Sequence, residues 1–188
     1  MSRLVPPIAA PIFVRWNTGE IEGPGVTESV KLLGQLPGIF RDQAAWRGLD
    51  PETEVYRVRS WMPVPQGTEG GLFWGSTILR PGRVGDEFFM THGHFHANRD
   101  RGEYYASVQG KGVLLLMDEA GQTCSQEMRP GSLHYIPGRV AHRVANIGEE
   151  PLVFLASWPS DAGHDYDQIR RTGFSKRMVL RDGAPCLV

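Results

Sequence analysis

The residues with the clearest capacity for chemistry lie in Thr91–Tyr105, which reads Thr-His-Gly-His-Phe-His-Ala-Asn-Arg-Asp-Arg-Gly-Glu-Tyr-Tyr. His92, His94 and His96 occupy alternate positions in a β-prone run, and a strand sends i, i+2 and i+4 to one face. Their imidazoles would share a side. Residues 97–102 then carry turn chemistry in Asn, Asp, Arg and Gly. Glu103 opens the next strand-like run, and a hairpin here would return its carboxylate to two of the imidazoles. Two neutral imidazoles and a carboxylate make a borderline-hard donor set, suited to iron, zinc, nickel or manganese. A lone strand histidine is more often a satisfied surface or core residue, so the pattern gains force only with a further ligand. That ligand has to come from the second half of the chain.

The elements that must position these groups are mostly strands. The 23 glycines and 14 prolines are scattered as punctuation between short β-branched and aromatic runs. From position 54 onward the pattern predicts strands at 54–62, 72–80, 87–96, 103–109, 112–118, 122–128, 132–136, 142–146 and 152–158. Strands at this spacing argue for a sandwich or barrel. Ahead of them, 11–16 reads as a first strand suited to pairing with another element or subunit. Val26, Val30 and Leu33 at i, i+4 and i+7 predict a short amphipathic helix ending near Gly34. Asp42 is placed to cap a second short helix through Trp46, stopped by Gly48. After Trp158, Asp165 is placed to cap a helix over 166–172 closed by Gly173, before a last strand at 175–180.

Length and composition narrow the classes. A chain of 188 residues suits one domain with a substantial core. The expected division is an N-terminal extension with short helices over 1–50, a barrel core over 51–160, and a C-terminal helix and strand over 161–188. The formal charge is −1 with both signs interspersed, so there is no basic tract for nucleic acid. Cys124 and Cys186 stand far apart in no metal spacing, and reduced thiols in the cytoplasm are the expectation. Three prolines near the start break the apolar helix a signal peptide needs. The aliphatic run 113–117 is far too short to span a bilayer, and a soluble protein is expected.

The further ligand appears in Gly131-Ser-Leu-His-Tyr-Ile-Pro137-Gly-Arg-Val-Ala-His142-Arg-Val-Ala-Asn146. Glycine, five residues, proline, four residues, histidine, three residues and asparagine resemble the second signature of the cupin superfamily. The stretch His94-x-His96, Glu103 and Gly110 resembles the first. The resemblance implies a double-stranded β-helix (jelly-roll) barrel with one divalent metal held by His94, His96, Glu103 and His142. Two features depart from many cupins: six residues separate His96 from Glu103, and Arg139 stands where a glycine is common. The longer gap suits the cupin-type glucose-6-phosphate isomerases. Residues 82–96, Glu103-Tyr-Tyr, Asp161-Ala-Gly-His-Asp-Tyr166 and Gly173-Phe-Ser-Lys176 are similar to that family.

That resemblance implies a cytoplasmic homodimer interconverting glucose 6-phosphate and fructose 6-phosphate, in glycolysis and gluconeogenesis, with iron foremost among the metals. Position by position, it assigns phosphate binding to Thr77, Thr91, the Gly93 backbone and Tyr166. Tyr105 and His164 would line the sugar region. His92 stands where the family has a lysine and Trp158 where it has a tyrosine, which changes the donors available to the phosphate. Glu103 is the expected base for proton transfer through a cis-enediol, against a hydride shift that needs no base. His164 is the candidate for proton transfer in ring opening. For Thr91 and the histidines to serve together, the strand must carry a bulge near Gly93, with Thr91 facing inward and His92 displaced to the rim or out. Two other readings compete: a ferrous dioxygenase on the same four ligands, and a non-catalytic sugar-binding cupin. The dioxygenase leaves the Asp-Ala-Gly-His-Asp-Tyr stretch without a role, and the binding protein lacks an output domain.

Overall fold

A computed structural model describes residues 8–188; Met1–Pro7, part of the proline-rich start, lie outside the described residues. In chain order the elements are β1 (Phe13–Arg15), β2 (Glu20–Glu22), β3 (Val26–Leu32), a 3-10 turn (Leu33–Gln35) and α1 (Gln43–Arg47). Then come β4 (Glu54–Trp61), β5 (Leu72–Leu79), β6 (Arg83–Val84), β7 (Glu87–Phe88), β8 (Glu103–Gln109) and β9 (Gly112–Asp118). The rest are β10 (Thr123–Met128), β11 (Leu133–Ile136), β12 (Val140–Asn146), β13 (Leu152–Pro159), α2 (Asp167–Thr172), β14 (Met178–Arg181) and β15 (Ala184–Leu187).

Among the described residues, the main sheet has six strands in the order β11-β8-β13-β5-β4-β3, and a three-stranded sheet runs β10-β9-β12. All the strand pairings are antiparallel. Side chains of both sheets meet in one buried cluster, including Leu79, Tyr105, Leu114, Leu116, Val144 and Phe154. Each aliphatic side chain moved from water into it contributes roughly 1.5–3 kcal/mol. The β8 strand shows how the sequence sets the inner surface. Glu103, Tyr105 and Ser107 are buried while Tyr104 is exposed, the period of two that a half-covered sheet demands. The architecture is the mainly β barrel with short helices that the cupin signatures imply.

Three stretches depart from expectation. Val26–Leu32 is a strand, not a helix, because β-branched Val26, Thr27 and Val30 favour the pleat and a full partner strand is present. Glu28 of β3 pairs with Arg57 and Arg59 of β4 at 2.8 and 2.7 Å, charges that lock the two strands together. Among the described residues the N-terminal helical content is therefore the 3-10 turn and α1. α1 forms as predicted, with Asp42 accepting from the Ala45 N–H at 2.8 Å and Gly48 at its end. At the other end the final strand begins later, at Met178, and returns as β15 across Asp182-Gly183. Both turn residues have positive φ, 51° and 77°, as a tight two-residue hairpin turn requires.

The third departure governs the site. The continuous strand expected over 87–96 ends at Phe88, and beyond it only single bridges reach β12, Met90 to Ala145 and His94 to His142. Four steps on one chain face three on the other, so one extra residue is inserted between the bridges. Gly93 takes it up at φ +76°, a conformation that costs glycine little. The expected bulge is present.

Candidate metal centre and cavity

His94, His96, Glu103 and His142 converge so that one ligand atom from each lies within 4.8 Å of the others. Glu103 enters from β8 and His142 from β12, strands of opposite sheets, while the irregular segment before β8 supplies the other two. His96, Glu103 and His142 are almost fully buried. Nδ1 of His96 lies 2.7 Å from the Arg101 carbonyl, which can only accept, so Nδ1–H donates the hydrogen bond. That fixes the tautomer and leaves Nε2 bare toward the centre, the arrangement expected of a ligating histidine. His94 Nε2, Glu103 Oε1 and His142 Nε2 are buried and have no hydrogen-bond partner among the described residues. His142 Nε2 and Glu103 Oε1 approach to 2.5 Å without hydrogen-bond alignment. Buried polar atoms are rarely left unmatched, and several such atoms aimed at one point fit a shared cation.

The charges respond to this crowding. Burial alone would raise the Glu103 pKa, but the His142 and His96 imidazoles hold it down at about 2. Burial opposes protonation of His96, yet the Glu103 carboxylate carries its pKa above the ordinary value. His94 is pushed well below the ordinary range, first by burial and then by the neighbouring His142. It presents the neutral imidazole a metal requires.

Beside this centre opens a cavity of about 260 Å³ between the sheets. Thr77, Thr91, Gly93, Tyr105, His164 and Tyr166 all line it, as their assigned roles require. Thr77 points inward from β5 opposite Phe154. Tyr105 stands two residues beyond Glu103 on the same face, and its phenol is held strongly protonated by burial and then by the Glu103 charge. The Thr91 hydroxyl accepts from the Val144 N–H at 3.1 Å, which orients it while leaving its own hydrogen free to donate. His92, expected at the rim or outside, lies on the wall beside Thr91, its ring 4.8 Å from that of Tyr166. The inserted residue shifts the alternation, so consecutive side chains can share the cavity. Burial and the Arg143 charge lower the His92 pKa to about 4, so it does not replace a lysine as a cation.

The segment 161–166 reaches the cavity by being laced to the loop between the metal ligands. Phe95 and Asp165 exchange backbone hydrogen bonds at 3.2 and 2.8 Å, and Asn98 N–H donates to the Ala162 carbonyl at 2.9 Å. Arg101 clamps both oxygens of Asp161, with its closest contact at 2.7 Å, and Arg99 reaches Asp165 at 2.5 Å. The additional residues between His96 and Glu103 thus supply two arginines for the two aspartates of Asp-Ala-Gly-His-Asp-Tyr. As a result the His164 ring sits 4.4 Å from that of His94 and stacks parallel to Tyr166. Burial lowers the His164 pKa, keeping it neutral and able to pass a proton either way. Asp165 accepts from the Asp167 N–H at 3.0 Å, so α2 begins one residue later than expected.

Sequence reasoning missed Lys31. Strand alternation in β3 turns Ser29 and Lys31 to the cavity, and the helical reading of that stretch concealed it. The cross-strand charges of Glu28, Arg57 and Arg59 were the available signal. Arg143 was also passed over. It is fully buried, with burial and then nearby Arg177 lowering its pKa to about 9, still a cation at neutral pH.

The chain is similar to known proteins over most of its length. The family model described as glucose-6-phosphate isomerase matches residues 30–186. The glucose-6-phosphate isomerase of Pyrococcus furiosus is 45% identical over 177 residues, 92% of this chain and 90% of that protein. That of Thermococcus kodakarensis is 44% identical over 171 residues, covering 89% and 87%, and that of Thermococcus litoralis 41% over 168, covering 89% and 87%.

Proposed function

The chain belongs to the glucose-6-phosphate isomerase family and interconverts glucose 6-phosphate and fructose 6-phosphate; from that premise we propose how its cavity carries out the reaction. The observation that carries the reading is the meeting of a four-ligand centre and a hydroxyl-rich cavity on one side of the Asp161–Tyr166 segment. One divalent cation, iron foremost and zinc, manganese or nickel as alternatives, would be held by His94, His96, Glu103 and His142. Such an ion supplies Lewis acidity, polarising a carbonyl oxygen and holding the adjacent hydroxyl.

The chain's own residues do the rest. Thr77, Thr91, the Gly93 N–H and Tyr166 bind the phosphate, with Lys31 adding a cation from β3. Tyr105 hydrogen-bonds the sugar beside Glu103. His164, neutral and close to the metal ligands, moves the proton between O1 and O5 as the ring opens. Glu103 then takes the C2 proton of the aldose as the C1 carbonyl pair moves onto O1; it returns that proton to C1 while the O2 proton passes to O1, leaving the C2 carbonyl of the ketose. For this it must loosen from the metal, since coordination weakens a carboxylate as a base.

The place of Glu103 among the four converging ligands favours a second reading, in which hydride passes directly from C2 to C1 and Glu103 serves only as a ligand. Substrate deuterated at C2 separates the two in ordinary water. Partial loss of label supports Glu103 as base, and full retention together with an active, metal-loaded Glu103→Gln variant excludes it. The isomerase reading itself is tested by coupled turnover of fructose 6-phosphate, and oxygen consumption without turnover would place the protein among the dioxygenases.

The homodimer is proposed on the exposed apolar residues Leu133, Tyr135, Tyr104 and Trp16, of which the first three lie on neighbouring strands of the main sheet. Among the described residues no helix is long and apolar enough to cross a membrane, and a cytoplasmic location is proposed with Cys124 and Cys186 as free thiols.

A further inference from the structure

Arg143 is the largest fully buried side chain among the described residues, and its guanidinium touches no carboxylate there. Its Nε and Nη2 both donate to the His92 carbonyl, at 3.1 and 2.5 Å, and its Nη1 meets no acceptor. Its carbon centre lies 4.5 Å over the ring of Phe174, from the Gly-Phe-Ser-Lys stretch. The nearest compensating group, Glu87, is already engaged. It accepts from Arg177 at 2.7 Å and from the Arg41 N–H at 2.5 Å. Arg143, Arg177 and Glu87 together leave one buried positive charge without a partner. An isolated buried charge is costly unless something neutralises it.

The peptide between His92 and Gly93 shows where the neutralising group would sit. No peptide bond among the described residues is cis, and in a trans peptide the N–H points opposite to the C=O. The His92 carbonyl is turned inward to Arg143, so the Gly93 N–H faces away from it, toward the cavity that Gly93 lines. Among the described residues that N–H has no acceptor. A cation on the oxygen side of an amide also makes its N–H a stronger donor. A Cβ there would lie 2.8 Å from the Phe174 ring and 3.0 Å from Arg143 Nε, so any larger residue must displace that pair.

We propose that Arg143 is a positioning residue for the anionic end of the substrate: through the His92–Gly93 peptide it presents a polarised N–H to the phosphate, whose charge in turn balances its own. Phe174 seats the guanidinium, which gives the Gly-Phe-Ser-Lys stretch a role in binding. The proposal rests on the phosphosugar reading and explains how the cavity holds an anion with His92 in place of a lysine.

The test measures KM and kcat for fructose 6-phosphate and competitive inhibition by inorganic phosphate, in metal-loaded protein. Arg143→Met should raise KM and the phosphate inhibition constant together, by about tenfold, the effect of losing one charge-assisted interaction. kcat should stay within about threefold of wild type, well under that tenfold step. Arg143→Lys should recover part of the loss, because charge returns without the paired donors. If Arg143→Met does not fold, Arg143→Lys and Phe174→Leu must each weaken phosphate binding measurably. Unchanged KM and phosphate inhibition in the folded variants, or a loss confined to kcat, overturns the role given to Arg143. Wild-type protein that binds phosphate but does not turn over fructose 6-phosphate refutes the isomerase reading instead.

Discussion

His94, His96, Glu103 and His142 present side-chain atoms to one point, two of them from strands of opposite sheets. Thr91, His92 and Gly93 reach the cavity because the backbone leaves strand register. At the metal-binding end, recognition depends on which side chain occupies which position. At the anion-facing end side chains are joined by a backbone N–H that an inserted residue exposes, backed by a cation that never enters the cavity. The first end should tolerate backbone adjustment and fail on loss of a ligand. The second should respond to a backbone change at the bulge as strongly as to loss of a side chain.

Loss of a ligand tests the first claim and has the largest expected effect. His142→Ala should reduce metal from near one per chain to a small residue and lower turnover by at least about a thousandfold, several kcal/mol of Lewis-acid assistance. Elemental analysis beside the coupled assay checks both, and stoichiometric metal in this variant would remove the centre from the mechanism.

Gly93→Ala should separate the two ends. A positive φ and two close contacts strain the alanine by roughly 1–3 kcal/mol, so KM for fructose 6-phosphate should rise about fivefold to a hundredfold while the metal remains bound. Loss of metal in step with affinity would mean that the two ends are a single unit.

Arg101→Ala addresses the lacing between them. The backbone carbonyl that orients His96 survives, and only the clamp on Asp161 is lost. Partly exposed ion pairs contribute little, so a threefold to tenfold loss of kcat/KM is expected, about 0.7–1.4 kcal/mol, with metal content unchanged. Asp161→Asn should reproduce it.

The smallest effect is on pH. The pKa values of His92 and His164 lie below the ordinary histidine value, His92 at about 4, both chiefly through burial. The unfolded chain therefore binds more protons than the native one between about 6.5 and 4, and stability falls as pH drops through that window. Allowing for the half-exposed ring, His92 accounts for about 1–2 kcal/mol of the fall. Urea titrations at pH 7 and pH 4.5 should show His92→Gln narrowing the difference, and an unchanged difference would mean His92 does not titrate as a buried group.

The same contrast explains what could be read from the chain. His94, His96, Glu103 and His142 were legible because strand geometry converts spacing directly into proximity. The barrel strands were legible for the same reason, as in β8 and β9, whose ends match expectation residue for residue. The bulge at Gly93 could be demanded by the roles of Thr91 and the histidines. Its effect on His92 could not, since an inserted residue moves the alternation by an amount that only the partner strand β12 fixes. Lys31 was hidden because Val26, Val30 and Leu33 fit a helical period as well as most of a strand. Its true partner, β4, lies more than twenty positions away. Arg143 was hidden beside a ligand. Its signal was a lone charge in Ala141-His-Arg-Val-Ala145, a stretch otherwise too apolar to leave a guanidinium in water.

The placement of the ligands along the chain bears on how the barrel assembles. His94, His96 and Glu103 fall within ten consecutive positions, while His142 follows 39 positions after Glu103. Closing the longer loop costs about 1.2 kcal/mol more than closing the short one, two doublings of length. A chain meeting metal early can therefore form a local three-ligand half-site before its sheets have paired. The arrival of His142 then coincides with β12 docking on β9 and with the completed three-stranded sheet packing on the main one. Metal supplied during refolding should speed barrel closure more than it raises final stability, because an ion already held by the open chain stabilises that state too. The ion would serve as a template for the folding route.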